Sequence, residues 1–270
     1  MGKQMKNAPV YFVIGQVRFN PSPVPIKEHM TEIQEGFRKL GFSDYRPKKL
    51  QQMSLIVQGE QLSQSPGETV DLFEFANPER TVLFQLDPNQ LSFQTVDYKH
   101  FEDFSVVFSK AFDLLTRHVK LTFIERVGLR YLDAVIPKMN EDLKLYLHPQ
   151  LLGLSALADG LSADFSVSEA LMNQGQDKIL ARVALLKGKL GFPQDLANVD
   201  MKIDQRFRDH DGPFAILDND AFCTERHITR PDEPLAQTVM ATFARLRALI
   251  DTVFQKSVTP MAKQVWEGEP

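Results

Sequence analysis

The stretch Lys120–Pro137, KLTFIERVGLRYLDAVIP, is the longest strand-like run in the first half of the chain. Arg126, Gly128 and Arg130 occupy one parity of this run. The apolar residues of the other parity are Phe123, Val127, Leu129, Tyr131 and Val135. A period of two, with β-branched and aromatic residues on one side, is typical of a strand that buries one face. The stretch therefore predicts a strand that closes the first half.

The polar side of this strand carries two arginines that flank a glycine. Neighbouring guanidinium groups hold phosphate or carboxylate groups through their fork of donors. Arg18, near the end of the first predicted strand, could join them if that strand lies alongside. We therefore take Arg126, Arg130 and Arg18 as the predicted binding residues. The alternative is that the arginines pair with acidic side chains on an adjacent strand.

The composition indicates a soluble globular protein. The chain has 270 residues, of which 43% are hydrophobic and 24% charged. This length allows one large domain or two ordinary ones. The formal net charge of −4 argues against a wide basic surface for nucleic acid, although a local basic patch remains open.

The single cysteine and the first apolar run of the chain help to predict the cellular compartment. Cys223 is the only cysteine, so no internal disulfide can form. The first apolar run ends at Gln16 and is too short for a secretory signal. No other apolar run approaches the ~18 residues of a membrane span. We therefore predict a cytoplasmic protein without a membrane association.

Strand and helix patterns alternate along the first half. Helical spacing of apolar residues predicts a helix from Ile26 to Leu40, and Gln61–Glu68 is predicted to be a polar loop. A second helix, His100–Val119, has an aromatic stripe that is typical of a core-packing face. The strands predicted before it are Val10–Phe19, Arg46–Gly59, Val70–Ala76, Thr81–Asp87 and Leu91–Val96.

The second half repeats this plan of strands followed by a long helix. Its closing helix has a buried face from Leu235 to Val253, with Asp232 and Glu233 at its start. Its predicted strands are Phe165–Asn173, Lys178–Lys187, Val199–Phe207 and Phe214–Cys223. We predict an α+β fold of two similar halves, 1–137 and 138–270, each a mostly antiparallel sheet backed by a long amphipathic helix. The two halves could also form one merged domain.

Motifs for catalysis are absent from the sequence. It contains no glycine-rich phosphate loop, no GxSxG elbow and no HExxH, and its six histidines are scattered. Asp218 and Asp220 form the one carboxylate pair that could bind Mg²⁺, with a third ligand from Asp200, Asp204 or Glu225. The alternative is that this pair simply ends a strand. We predict no cofactor and favour a protein that is not an enzyme.

Basic residues cluster modestly in two places. If both clusters faced one cleft together with Arg126 and Arg130, RNA or DNA could bind there through its phosphates. Alternating charge on a solvated strand is the other interpretation. The clustered residues are Arg46, Lys48, Lys49, Lys202, Arg206 and Arg208.

Several stretches together resemble an uncharacterised, sporadically distributed prokaryotic protein family of about this length. The stretches are NAPVYFVIGQVRFNP, TVDYKHFEDFSVVF, RVGLRYLDAVIP, LLG, ILDNDAF and LRALIDTVFQKSVTP. The resemblance implies a cytosolic α+β protein without an assigned activity, so no catalytic residue is carried over. The patchy distribution implies an association with mobile elements or antiviral defence.

Three functional hypotheses follow from the sequence. The first is a non-enzymatic binding or adaptor protein that works with a protein partner. The second is a nucleic-acid-binding protein with tandem ferredoxin-like units. The third is a metal-dependent nuclease that uses Asp218 and Asp220.

Overall fold

A computed structural model describes residues 5–20, 25–58, 61–156, 163–224, 227–228 and 235–268, with only the backbone described at 51–58, 61–68, 155 and 227–228. The strands are β1 (Val10–Phe19), β2 (Asp44–Gln58), β3 (Gln61–Ala76), β4 (Val82–Asp87), β5 (Gln90–Thr95), β6 (Phe123–Val135), β7 (Ser166–Gln174), β8 (Asp177–Lys189), β9 (Asp211–Cys223) and β10 (His227–Ile228). The α-helices are α1 (Met30–Lys39), α2 (Phe101–His118), α3 (Gln205–Arg208), α4 (Leu235–Ser257) and α5 (Pro260–Glu267). Short 3-10 turns lie at Ile26–His29, Leu143–Leu145, Pro149–Leu151, Gly153–Ala156 and Gln194–Leu196.

The described strands form one antiparallel sheet. Its order is β2-β3-β4-β5-β1-β6-β9-β8-β7, and β10 pairs with the beginning of β6. The antiparallel pair β1–β6 lies near the centre of the sheet, with β5, β4, β3 and β2 on one side and β9, β8 and β7 on the other. The stretch that opened the sequence analysis is therefore a central strand.

The predicted arrangement of two halves, each with its own sheet and its own helix, is wrong. Strand β6 belongs to the first predicted half, yet it pairs with β9 of the second. Helix α4 packs on β6 as well as on β8 and β9, and it also contacts α2. Local periodicity predicts strands, but it carries no information about which strand edges meet. The division into 1–137 and 138–270 stays a prediction, although one sheet spans both ranges.

Helices α1, α2 and α4 cover one face of this sheet with an aromatic core. The stripe predicted on α2 is buried there at Phe104, Phe108 and Phe112. The aromatic rings approach the backbone closely at Gly15 of β1, where a Cβ atom would lie 2.7 Å from Cζ of Phe104. The absence of a side chain at residue 15 therefore lets α2 pack directly on the central strand.

Part of the opposite face is covered by the chain between β8 and β9. Met201 is buried there, and Val199 and Ile203 are partly buried against the sheet. The predicted strand Val199–Phe207 is wrong, since no strand is assigned in this segment and α3 begins at Gln205. The alternation of apolar residues reflects one buried side, but no neighbouring strand is present in the described chain to pair with it.

Strands β2 and β3 continue as a two-stranded ribbon beyond β4. The pairing of β2 with β3 runs from Asp44↔Ala76 to Gln58↔Gln61, whereas β4 pairs only with Phe73–Ala76 of β3. The prediction of a loop at Gln61–Glu68 is therefore wrong. A ribbon without a third strand needs no apolar face toward a core, so its sequence lacks the alternation that marks other strands.

The C-terminal part of the chain contains the helices α4 and α5. Residues Asp232 and Glu233, which were expected to begin the closing helix, lie outside the described residues. The tail that carries Trp266 forms α5, which begins with the side-chain cap of Thr259 and packs Trp266 on Phe254. In the described chain, no helix combines the length and the apolar character that crossing a membrane requires.

Candidate functional site

The three predicted arginines lie on one face of the central strands. Val17 of β1 and Leu129 of β6 point into the core beneath the helices, so their neighbours along each strand point the other way. We call this set the polar face. Its members are Gln16, Arg18, Asp87, Gln90, Arg126, Arg130, Asp218 and Asp220.

Arg130 is neutralised by carboxylates of this chain. Its Nε and Nη2 atoms donate to the two oxygens of Asp218, both at 2.7 Å, and Nη1 donates to Asp195. Arg182 donates to the same Asp218 carboxylate at 2.9 Å. Burial alone would lower the pKa of Arg130, but the hydrogen bonds to Asp218 and Asp195 raise it above its ordinary value. Arg130 therefore serves as a structural partner of the buried Asp218.

Arg126 is held differently, by a neutral side chain. Its Nη1 atom donates to Oε1 of Gln16 at 2.6 Å, whereas the nearest contact with Asp220 is 3.4 Å long. The guanidinium lies over the position where Gly128 has no side chain, and it also stacks over the ring of Phe222 at 4.9 Å. Gly128 therefore gives Arg126 the room to lie flat across the sheet.

Arg18 lies directly opposite Arg126 in the pairing of β1 with β6. Arg18 is exposed, and its charge acts on Asp87 of β4, which lies in the same row of the sheet, without a hydrogen bond or an ion pair between the two side chains. Like charges in directly opposed positions of adjacent strands are destabilising. The pKa of Arg126 is lowered, first by burial and then by the charges of Arg18 and Arg130, while Asp220 opposes this shift. The arginine pair is therefore only partly neutralised.

Asp220 itself is a weak counter-ion for this pair. Burial raises the pKa of Asp220 above its usual range, and the nearby Arg126 only partly offsets this effect. The carboxylate and the guanidinium thus both lose hydration without making a short contact. An incoming anionic group that reached Arg18 and Arg126 would supply the missing contacts.

The metal candidates have other partners. Asp218 accepts hydrogen bonds from Arg130 and Arg182, and Asp220 lies beside Arg126. Of the predicted third ligands, Asp200 pairs with Arg46 and Arg80, Asp204 caps α3, and Glu225 lies outside the described residues. Within the described residues, no group of three or more histidine, cysteine or acidic side chains is placed to hold a metal ion.

Two residues of the first basic cluster predicted from the sequence, Arg46 and Lys48, belong to a separate ion-pair network. Lys48 donates to Glu74 at 2.8 Å, and Arg46 pairs with Asp44 and Asp200. Arg80, which the sequence analysis did not single out, donates to Glu74 at 3.0 Å. Burial would raise the pKa of Glu74, but the bonds from Lys48, Gln85 and Arg80 lower it. These cations therefore stabilise a buried carboxylate.

The amide side chains of the polar face, Gln16 and Gln90, were not among the residues predicted from the sequence. Gln16 donates from Nε2 to Oε1 of Gln90 at 2.9 Å, which fixes the Gln16 oxygen toward Arg126. A signal was present, because Gln16 and Arg18 share one parity of β1 while Val13 and Val17 share the other. The polar parity of β1, an otherwise apolar strand, thus predicts that Gln16 lies on the same face as Arg18.

Comparison of the chain with protein-family models and with curated proteins found no match.

Proposed function

We propose that this chain is a non-enzymatic binding protein whose polar face holds an acidic segment of a protein partner against Arg18 and Arg126. The observation that carries the proposal is the direct opposition of these two arginines on adjacent strands. A carboxylate between them would relieve their repulsion and accept charge-assisted hydrogen bonds from both forks. Gln16 holds one fork in place in advance, which lowers the cost of ordering it on binding.

The distribution of the other charges favours a protein segment over a nucleic acid. Arg46, Arg80, Arg130 and Arg182 each have carboxylate partners in this chain. Nucleic-acid binding depends on the neutralisation of several phosphates in succession. The polar face, as far as it is described, offers two under-neutralised arginines, and the chain carries a net charge of −4. Two arginines suit one acidic group better than a phosphate backbone.

Other parts of the sequence-based account stay predictions. These are the resemblance to a sporadically distributed prokaryotic family, the association with defence or mobile elements, and the cytoplasmic location. The nuclease hypothesis gains no support, because Asp218 is engaged by two arginines.

The proposal is tested by fluorescence anisotropy with a labelled peptide that contains six consecutive glutamates. We expect Arg126→Ala to weaken peptide binding at least tenfold, or about 1.4 kcal/mol. The control is Arg38→Ala, since Arg38 is exposed on α1 and pairs with Glu35 of the same helix. The control variant is expected to bind like the unmodified chain.

A labelled oligothymidylate, titrated at several salt concentrations, separates the alternative. Tighter binding of this oligonucleotide than of the peptide, with a steep dependence on salt, would replace the proposal with nucleic-acid binding. Equal peptide affinities of Arg126→Ala and Arg38→Ala would remove the polar face as the binding site.

A further inference from the structure

Strand β7 forms one end of the sheet, and its outer edge has no neighbouring strand in the described part of the chain. Its pairing with β8 runs without a bulge from Ser166↔Leu185 to Gln174↔Asp177. An edge of this length presents a row of backbone donors and acceptors to any other strand. Natural proteins protect such edges with charges, prolines or bulges.

The two ends of the sheet differ in this protection. At the other end, β2 carries the run Arg46-Pro47-Lys48-Lys49, which includes both a proline and lysines. Strand β7, SVSEALMNQ, has no proline and no basic residue. Its one charged side chain, Glu169, is engaged by Arg182 at 2.6 Å. The β7 edge therefore lacks these protective residues, and the turn Gly153–Ala156 lies against the side chains of Ser166 and Ser168 on one face of the strand.

The exposed side chains of β7 are unusually apolar for an edge strand. Their exposed fractions are 72% for Phe165, which directly precedes the strand, 53% for Val167, 58% for Leu171 and 41% for Met172. Phe165, Val167 and Leu171 share one parity and lie on the side of the sheet that carries Arg182, since Glu169 between them contacts Arg182. Exposed apolar side chains beside an unprotected edge indicate that another strand covers it.

We infer that β7 pairs antiparallel with β7 of a second copy of this chain, around a two-fold axis at Ser168. This register places Phe165 of each copy opposite Leu171 of the other, and Ser166 opposite Ala170. Each Glu169 lies opposite Val167 of the other copy, so the two glutamates do not meet. An isologous contact of this kind is the commonest way in which soluble chains form dimers.

Neighbouring registers are less favourable. An axis at Glu169 would set the two glutamates directly opposite each other, which is destabilising. An axis at Ala170 would place Val167 opposite Asn173 and Phe165 beyond the end of the partner strand. A partner strand with basic residues is also disfavoured, because Glu169, the one charged side chain of β7, already forms an ion pair with Arg182. The self-complementary register at Ser168 thus fits the composition of β7 best.

The first test is sedimentation velocity of the full chain from 1 to 100 μM, concentrations chosen to span the range of typical weak dimers. We expect a dimer for the unmodified chain and a monomer for Leu171→Lys, which places a lysine opposite Phe165 of the other copy, twice in each dimer. The control is Val106→Lys, because Val106 on α2 is 52% exposed, close to the 58% of Leu171. The control is expected to stay dimeric, and both variants are expected to keep a cooperative unfolding transition.

The second test is disulfide cross-linking, which does not depend on the stability of the lysine variant. In Ser168→Cys, the two new cysteines face each other at the axis, at a cross-strand distance that suits a disulfide. We expect a covalent dimer on oxidation of Ser168→Cys and none for Gln174→Cys, at the end of β7. The native Cys223 is buried.

Each contrary result overturns the inference. A monomeric chain at 100 μM that forms no cross-link through Ser168→Cys excludes the second copy as the occupant. If the chain is monomeric and instead binds a peptide of unrelated sequence as a strand at β7, the second copy is also excluded as the occupant. A dimer that persists in Leu171→Lys, without a cross-link at residue 168, places the contact on another surface.

Discussion

Replacing Arg130 with alanine is expected to lower the free energy of unfolding by about 3–5 kcal/mol, the usual cost of breaking a buried ion pair from one side. The Asp218 side chain is 4% exposed and would lose two hydrogen bonds of 2.7 Å. Arg182 would remain as its partner, but it is shared with Glu169. Urea unfolding followed by circular dichroism measures the change.

Arg126→Ala is the matched control on the same strand face. Its shortest contact with Asp220 is 3.4 Å, whereas Arg130 makes two contacts of 2.7 Å with Asp218. We expect a loss of about 1.5–2 kcal/mol, because the hydrogen bond to Gln16 has a charged donor and such bonds contribute about 1.5–3 kcal/mol. Equal losses for the two variants would contradict the division of the arginines into a structural Arg130 and a binding Arg126.

The second large effect concerns Asp133, which lies on β6 beneath the helices. Its exposed fraction is 6%, and burial raises its pKa to about 7, with the charge of Arg247 acting in the opposite direction. The ordinary pKa of an aspartate is about 3.9 in an unfolded chain. The folded state therefore binds this proton more tightly, and the resulting stability is lost as the pH rises from about 4 to 7.

Asp133→Asn is expected to remove this contribution. Between pH 5 and pH 8, deprotonation of Asp133 should lower the free energy of unfolding of the unmodified chain by about 2–3 kcal/mol. The decrease measured for Asp133→Asn should be smaller by these roughly 2–3 kcal/mol. Unfolding curves at both pH values measure the difference. Asp103→Asn, at an exposed site of α2, serves as the control and should keep the full pH dependence. An unchanged pH dependence in Asp133→Asn would exclude Asp133 as its source.

Local patterns predicted individual elements well. Strand β1 begins and ends at the predicted residues Val10 and Phe19, and α2 begins and ends within one residue of the prediction. Such elements follow periodicities of two and 3.6 that a short window of sequence reveals. The prediction failed at Gln61–Glu68 and at Val199–Phe207, where the pairing partner, or its absence, decides the structure.

The candidate site shows the same limit. The alternation of β6 predicted one face for Arg126 and Arg130, and Arg18 was expected to join them only if β1 lay alongside, which it does. Their partners depend on the register of β6 with β9, in which Leu132 lies opposite Asp218. No local pattern contains this register. Arg130 therefore pairs with an acidic side chain of an adjacent strand, which was the alternative to a binding role. Arg126 and Arg18 are only partly neutralised by neighbouring carboxylates.

The most direct test of the proposed binding face is the affinity of Gly128→Ala for the hexaglutamate peptide. A Cβ atom at residue 128 would lie 2.6 Å from Nη1 of Arg126, so the flexible guanidinium must move away from Gln16 while the charge of the chain stays the same. We predict at least a tenfold loss of peptide affinity, about 1.4 kcal/mol, with a cooperative unfolding transition retained. An affinity equal to that of the unmodified chain would contradict the claim that Arg126, held flat over Gly128, binds an acidic partner.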